Sequence, residues 1–279
     1  MTPGIPILFD RQVYLARQQK ASLVQGPLLA HVADDLGERL SVINHQFARV
    51  LVIAPGADIF VAVLEGSDKC GEIRHQAPAC DEDLGLAPEA FDLVLHLLDL
   101  QCVNDVPGTL AQCARALKPD GLFLSCCFAA ETLQELRQSW LAAESATVGG
   151  ASLRVAPMIG VREMGSLLQR AGLALPVSDV DHLTLRYGNG LALVREIKAF
   201  GFSNPLHERR KMLTSRRMLG LVLEDYQQNY ADEDRRLRAT LDVVWAMAWK
   251  PHASQPKPKK PGSATARLAD VLKKMDDEG

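Results

Sequence analysis

Apolar positions along this chain follow two periods. Short, nearly unbroken apolar runs at 49–53, 91–98 and 122–128 have the composition of strands buried on both faces of a parallel sheet. Ile59–Leu64 is a further apolar run, after which polar residues, glycine and cysteine dominate as far as Pro88. Between and around these runs the spacing changes to three and four. Leu28, Leu29, Val32, Leu36 and Leu40 mark a helical lead-in over 1–47. After Asn104, Asp105 reads as an N-cap with Pro107 in the first turn, and Leu110, Cys113, Ala114 and Leu117 form one stripe. Thr132 and Glu135 have the spacing of a capping box ahead of Leu133, Leu136 and Trp140. Met164, Leu167, Leu168 and Ala171 outline another helix that stops at Gly172. Alternating β and α segments predict a doubly wound sheet with its core at 48–187.

The last third reads differently. Residues 189–201 and 207–230 are helical in pattern and make up a predicted cap over 188–236, with Arg209, Arg210, Lys211, Arg216 and Arg217 on the second helix. Leu237–Trp249 has strand composition, so 237–250 is expected to return to the sheet. A proline–lysine linker from Pro251 to Pro261 and a short helical tail over 264–275 complete a terminal segment, 251–279.

Composition narrows the function classes. With 47% hydrophobic residues, 23% charged and a net charge of −3 over 279 residues, the chain has an ordinary globular makeup and lacks the basic excess of a broad nucleic-acid surface. The six cysteines form no Cys-x-x-Cys pair and have no histidine at metal-ligand spacing, so no metal site is expected. Cys126 and Cys127 should point to opposite faces of one strand. No apolar stretch reaches the roughly 18–20 residues of a membrane span, and no signal or transit peptide is recognised. A cytoplasmic location is the default expectation.

Several strings carry a more specific likeness. Ala90–Phe123 holds a strand, a proline-opened helix and the turn Lys118-Pro119-Asp120-Gly121 before a second strand. It looks like the fourth and fifth strands of a class I S-adenosylmethionine (SAM) methyltransferase. Leu8-Phe9-Asp10-Arg11, Val103-Asn104-Asp105-Val106-Pro107, Glu131–Arg137, Leu167–Gly172 and Gly262-Ser263-Ala264-Thr265 together resemble one family closely. This is the methyltransferase-like assembly factor of respiratory complex I, related more distantly to the malonyl-carrier-protein methyltransferase of biotin synthesis. The resemblance implies an α/β, Rossmann-like methyltransferase fold with a helical cap inserted before the last strand. It also implies a protein target, the complex I subunit carrying a terminal iron–sulfur cluster, and a peripheral place at the inner membrane during complex assembly. The animal member is regarded as hydroxylating an arginine of that subunit.

Against the same family, the cofactor turn is altered. The usual Asp-x-Gly-x-Gly-x-Gly is represented by Val52-Ile53-Ala54-Pro55-Gly56-Ala57-Asp58, in which Val52, Ala54 and Asp58 replace motif residues and Gly56 remains. Pro55 also removes a donor. These losses are expected to leave SAM binding weak or absent. Too little chain is expected between Asp58 and Phe91 for the family's usual strand–helix–strand–loop. Glu65, at the end of an apolar run, is the candidate ribose ligand or a loop acid. Asp81 and Glu82 match the acidic pair after the family's third strand, or are loop carboxylates. With Gly56 and Leu98 they complete the cofactor-side set. At 101–102, where relatives carry His-Trp, this chain has Gln101-Cys102. Candidate substrate or partner residues are Asn104, Glu131, Arg137 and Tyr187, with a turn role favoured for Asn104 and packing for Tyr187. Three functions stay open: an assembly factor binding a complex I subunit or assembly protein, an active SAM-dependent methyltransferase of a protein or small molecule, and a catalytically dead scaffold.

Overall fold

The computed structural model describes residues 7–21 and 26–256. The expected tail helix and the string 262–265 lie outside the described residues. In chain order the elements are α1 (Arg11–Lys20), α2 (Pro27–Val42), β1 (Phe47–Ile53), α3 (Asp58–Glu65), β2 (Cys70–Gln76) and β3 (Phe91–Leu97). These are followed by α4 (Val106–Ala116), β4 (Leu117–Phe128), α5 (Gln134–Val148), α6 (Val161–Arg170), β5 (Ala174–Tyr187), α7 (Gly190–Ala199), α8 (Arg216–Tyr230) and β6 (Leu237–Trp249).

Six strands form one sheet in the order β2-β1-β3-β4-β6-β5. The first four are mutually parallel, and β6 runs antiparallel between β4 and β5. Tyr187 therefore ends β5 at the same carboxyl edge as Ile53, Leu97 and Phe128. Alternation along each strand divides the core. Val50, Val52, Leu93, Leu95, Leu124 and Cys126 pack on one face with α2 and α3. Leu51, Ile53, Val94, Phe123 and Cys127 pack on the other with α4 and α6. The neighbouring cysteines thus face opposite layers, as the strand period requires.

Two sequence readings are corrected between β1 and β3. Ile59–Leu64 lies within helix α3, with Phe60 and Leu64 as its buried stripe. The second strand is Cys70–Gln76, an edge strand whose charged, mostly exposed face has no apolar run to announce it. Between Asp58 and Phe91 the chain thus holds one helix, one strand and the loop 77–90. The Lys118–Gly121 turn bulges from β4, so that Phe91 pairs with Leu117 and Leu93 with Leu122. Glycine is required there, since a Cβ at Gly121 would stand 2.8 Å from the Lys118 carbonyl oxygen.

A third correction concerns the cap. Residues 207–215 are irregular, and α8 begins only after the Ser215 N-cap, whose hydroxyl accepts the Met218 N–H. Arg209, Arg210 and Lys211 therefore lie ahead of the helix. Arg209 is drawn back to Asp10 at 2.9 Å.

Candidate functional site

Beyond the carboxyl end of β3 the N-terminal helix is fastened to the edge of the sheet. Arg11 anchors it. The guanidinium donates to both oxygens of Asp99 at 2.7 and 3.2 Å, to the Ala79 carbonyl at 3.0 Å and to the Cys102 carbonyl at 3.3 Å. Both side chains are almost fully buried. Burial would lower the arginine pKa, but Asp99 outweighs it and raises it above its ordinary value. Tyr14, one turn on, donates to the Leu98 carbonyl at 3.0 Å. Arg17 holds the Ser203 and Asn204 carbonyls, so α1 bridges the sheet edge and the segment before α8.

The loop 77–90 is stitched to this edge by side chains. The Glu82 carboxylate accepts the backbone N–H groups of Asn104 and Asp105 at 2.7 and 2.8 Å and the Asn104 amide at 3.0 Å. Asn104 Oδ1 accepts the N–H groups of Leu8 and Phe9, each at 2.7 Å. Asn104 is thus a bracket between the N-terminal segment and the 82 loop, and Asp105 caps α4 through Gly108 N–H as its position suggested. Asp81 is exposed and closes a local turn onto Asp83. Gly56 adopts φ 69°, a left-handed conformation that suits glycine, and is exposed beside buried Pro55. Glu65 is exposed at the last turn of α3, away from the end of β2, where Gln76 stands and donates to the Leu84 carbonyl at 2.8 Å. The strand-end placement expected for Glu65 is therefore corrected.

Thr132 and Glu135 do not form a capping box. Strand β4 ends at Phe128 opposite Val243, which leaves residues 240–242 of β6 without a strand partner on that side. Thr132 Oγ1 accepts the Asp242 N–H and donates to its carbonyl, both at 3.1 Å. The Glu135 carboxylate takes the Thr240 N–H and hydroxyl. Unpaired backbone groups compete for these side chains and win, and the helix starts one residue late because Leu133 is left-handed. Arg137 ties the same turn, donating to the Ala130 and Thr132 carbonyls, while Glu131 is exposed.

Next to this turn lies a cavity of about 100 Å³. Phe128, Leu136, Leu185, Leu193 and Phe202 supply apolar wall, and Tyr14, Gln101, Tyr187 and Glu196 supply polar groups. Tyr187 is thus a wall residue, and burial first, then the neighbouring Glu196 carboxylate, push its hydroxyl pKa up. Arg154, also in the wall, is already paired: it meets Glu144 and stacks 4.5 Å from the Trp140 ring centre. Burial would raise the Glu144 carboxyl, yet the Ser152 N–H and Arg154 hold it below its ordinary value. Of the nine residues singled out from the sequence, the cavity wall takes Tyr187 alone. Sequence reasoning missed Arg11, Asp99 and Glu196. Arg11 stood inside the matching string Leu8–Arg11, a signal that carried no role until Asp99 was placed beside it.

Comparison with known proteins agrees with this architecture. A family model described as a methyltransferase domain matches residues 41–125. The chain is 34% identical over 265 residues to the mitochondrial arginine-hydroxylase NDUFAF5 of Danio rerio, covering 95% of this chain and 79% of that one. It is 32% identical over 281 residues to the malonyl-[acyl-carrier protein] O-methyltransferase of Laribacter hongkongensis, covering 90% of each. A solved putative methyltransferase from Bacillus halodurans superposes with a TM-score of 0.50 at 14% identity, over 79% of this chain and 99% of that one. The fold is that of the class I SAM methyltransferases.

Proposed function

Because the chain belongs to the arginine-hydroxylase NDUFAF5 family, we propose that it acts on or binds a protein partner, receiving a cationic side chain such as arginine in the cavity beside Tyr187 and Glu196. The partner is a respiratory complex I subunit or assembly protein, with the iron–sulfur subunit as first candidate. The carrying observation is how the acids at the sheet edge are used. Asp99 is spent on Arg11 and Glu82 on the Asn104–Asp105 backbone, whereas Glu196, with no cation on it among the described residues and only the Tyr187 hydroxyl beside it, lines a largely apolar cavity. A carboxylate at the wall of an apolar slot suits an aliphatic stem with a cationic tip. At about 100 Å³ the cavity lies below the roughly 300–1,000 Å³ of pockets for drug-sized ligands. It therefore matches one side chain better than a nucleoside.

The residues at the end of β1 do not fit SAM. Val52 and Ala54 are fully buried in the core, so no carboxylate there meets the ligand's ammonium. Gln76 stands at the end of β2 in place of a ribose-gripping acid. These features support weak or absent SAM binding. The second reading, an active SAM-dependent methyltransferase, is favoured by the likeness to the carrier-protein methyltransferase over nine-tenths of both chains.

Among the described residues no helix is long and apolar enough to cross a membrane. Peripheral attachment during complex assembly is supported by exposed Met212 and Leu213 between the exposed bases Arg210, Lys211, Arg216 and Arg217. Two measurements test the proposal. Co-purification from cells should recover the iron–sulfur subunit or another complex I component, and loss of that recovery in Glu196→Gln ties it to the cavity. Recovery of no such component defeats the partner assignment. Calorimetry with SAM should show no micromolar binding, and micromolar affinity favours the second reading instead.

A further inference from the structure

The sheet has two end strands, and only one of them is guarded against pairing. β5 ends it on one side and β2 on the other. On β5, Pro176 has no N–H to donate, and a second copy running antiparallel about Val180 would set Asp179 against Asp181. β2 has neither a proline nor such a clash. Outside its parallel ladder with β1, no backbone group of residues 71–76 has a hydrogen-bond partner among the described residues. Gly71, Glu72, Arg74 and His75 are exposed. The Glu72 side chain is 77% exposed, and its salt bridge to Arg49 is long, at 4.0 Å. The order of residues makes this edge complementary to itself. An antiparallel pair related by a two-fold at Ile73 sets Ile73 opposite its own copy, Glu72 opposite the second copy's Arg74, and Gly71 opposite the second copy's His75. The two-fold makes the acid–base pair twice. Charges on an end strand ordinarily keep other strands away, but opposite signs at symmetry-related positions attract.

We propose that β2 is a self-association edge, on which a second copy of this chain pairs antiparallel about Ile73 and joins the two sheets into one. The free N–H and C=O groups of the two strands then satisfy each other, and Glu72 and Arg74 fix the register. The cavity-wall residues Leu185 and Tyr187 belong to β5, the opposite end strand, so each copy keeps its cavity away from the contact. The interface is one short strand with a charged rim, so association is salt-sensitive and weaker than in an obligate dimer. The inference is independent of what the cavity binds.

Sedimentation velocity on the full chain at low salt tests it, with circular dichroism to confirm that each variant is folded. Wild type should dimerise at micromolar concentration. Glu72→Arg and Arg74→Glu should each raise the dimer dissociation constant about tenfold, because each sets like charges opposite one another twice. An equimolar mixture of the two variants should recover the dimer, since the basic strand of one then faces the acidic strand of the other. The doubly exchanged chain, Glu72→Arg with Arg74→Glu, should recover it alone. Wild type that stays monomeric at several hundred micromolar overturns the proposal. A dimer indifferent to the single reversals, or not restored by mixing them, overturns it as well, because its contact then lies elsewhere.

Discussion

Replacing Arg11 by methionine should unfasten the N-terminal helix from the sheet, and the structure sets the size of the effect. Asp99 is 1% exposed and Arg11 is 5% exposed, so deleting the guanidinium strands a carboxylate that water cannot reach. Breaking a buried pair from one side costs about 3–5 kcal/mol, much of it from the unpaired charge left behind. The Ala79 and Cys102 carbonyls lose their donor as well. At about 2–4 °C per kcal/mol for a chain of this size, the melting temperature should fall by roughly 10 °C. Because the penalty sits on Asp99, Arg11→Met with Asp99→Leu should be less destabilised than Arg11→Met alone. Urea unfolding of the two singles and the double gives the coupling, expected at about 2 kcal/mol or more. Arg186→Met serves as a reference, because its pairs with Asp232 and Asp234 are solvent-exposed and worth about 0–1 kcal/mol. The reasoning fails if Arg11→Met costs no more than Arg186→Met, or if the two site changes add within about 0.5 kcal/mol.

Two further buried groups and one exposed segment give outcomes that can be measured. Burial lowers the His96 pKa from 6.5 to about 4 despite Asp99 3.7 Å away, with Arg11 also opposing the charge. The unfolded chain therefore binds a proton that the folded one refuses between these values. Stability that is complete above pH 6.5 should decline toward pH 4, and His96→Leu should reduce that slope by about one proton in pH-dependent urea midpoints. Equal slopes would rule out His96 as the source. Thr132→Val should speed hydrogen exchange at the Asp242 amide more than at the first amides of α5, whereas a capping box would give the opposite order. Met212→Ser with Leu213→Ser should weaken sedimentation with anionic phospholipid vesicles, and unchanged binding would remove that segment as the contact.

The fold was legible wherever both faces of an element are buried. Strands β1, β3 and β4 announce themselves as unbroken apolar runs, and α4 shows its cap and stripe, because local pattern and tertiary burial agree there. The misreadings come from partners distant in sequence and from one run too short to show its period. Edge strand β2 is stabilised by β1 alone, so its side chains face water and its sequence looks like a loop. A run of six apolar residues, Ile59–Leu64, is too short to tell helix from strand by period. Thr132 and Glu135 have capping spacing, but the end of β4 exposes β6 groups about 105–110 residues away that need them more. The candidate site repeats this lesson with higher stakes. Asp81 and Glu82 match an acidic pair of the family and Glu65 ends an apolar run, yet an acid's availability depends on what already holds it. Arg11 reaches Asp99 across 88 residues, and no window of sequence shows that the pair neutralises the sheet edge. The same long-range closure that occupies Asp99 leaves Glu196 on the cavity wall without a cationic partner among the described residues. The chemistry open to this protein is therefore set less by which acids it has than by which ones its own arginines have left free.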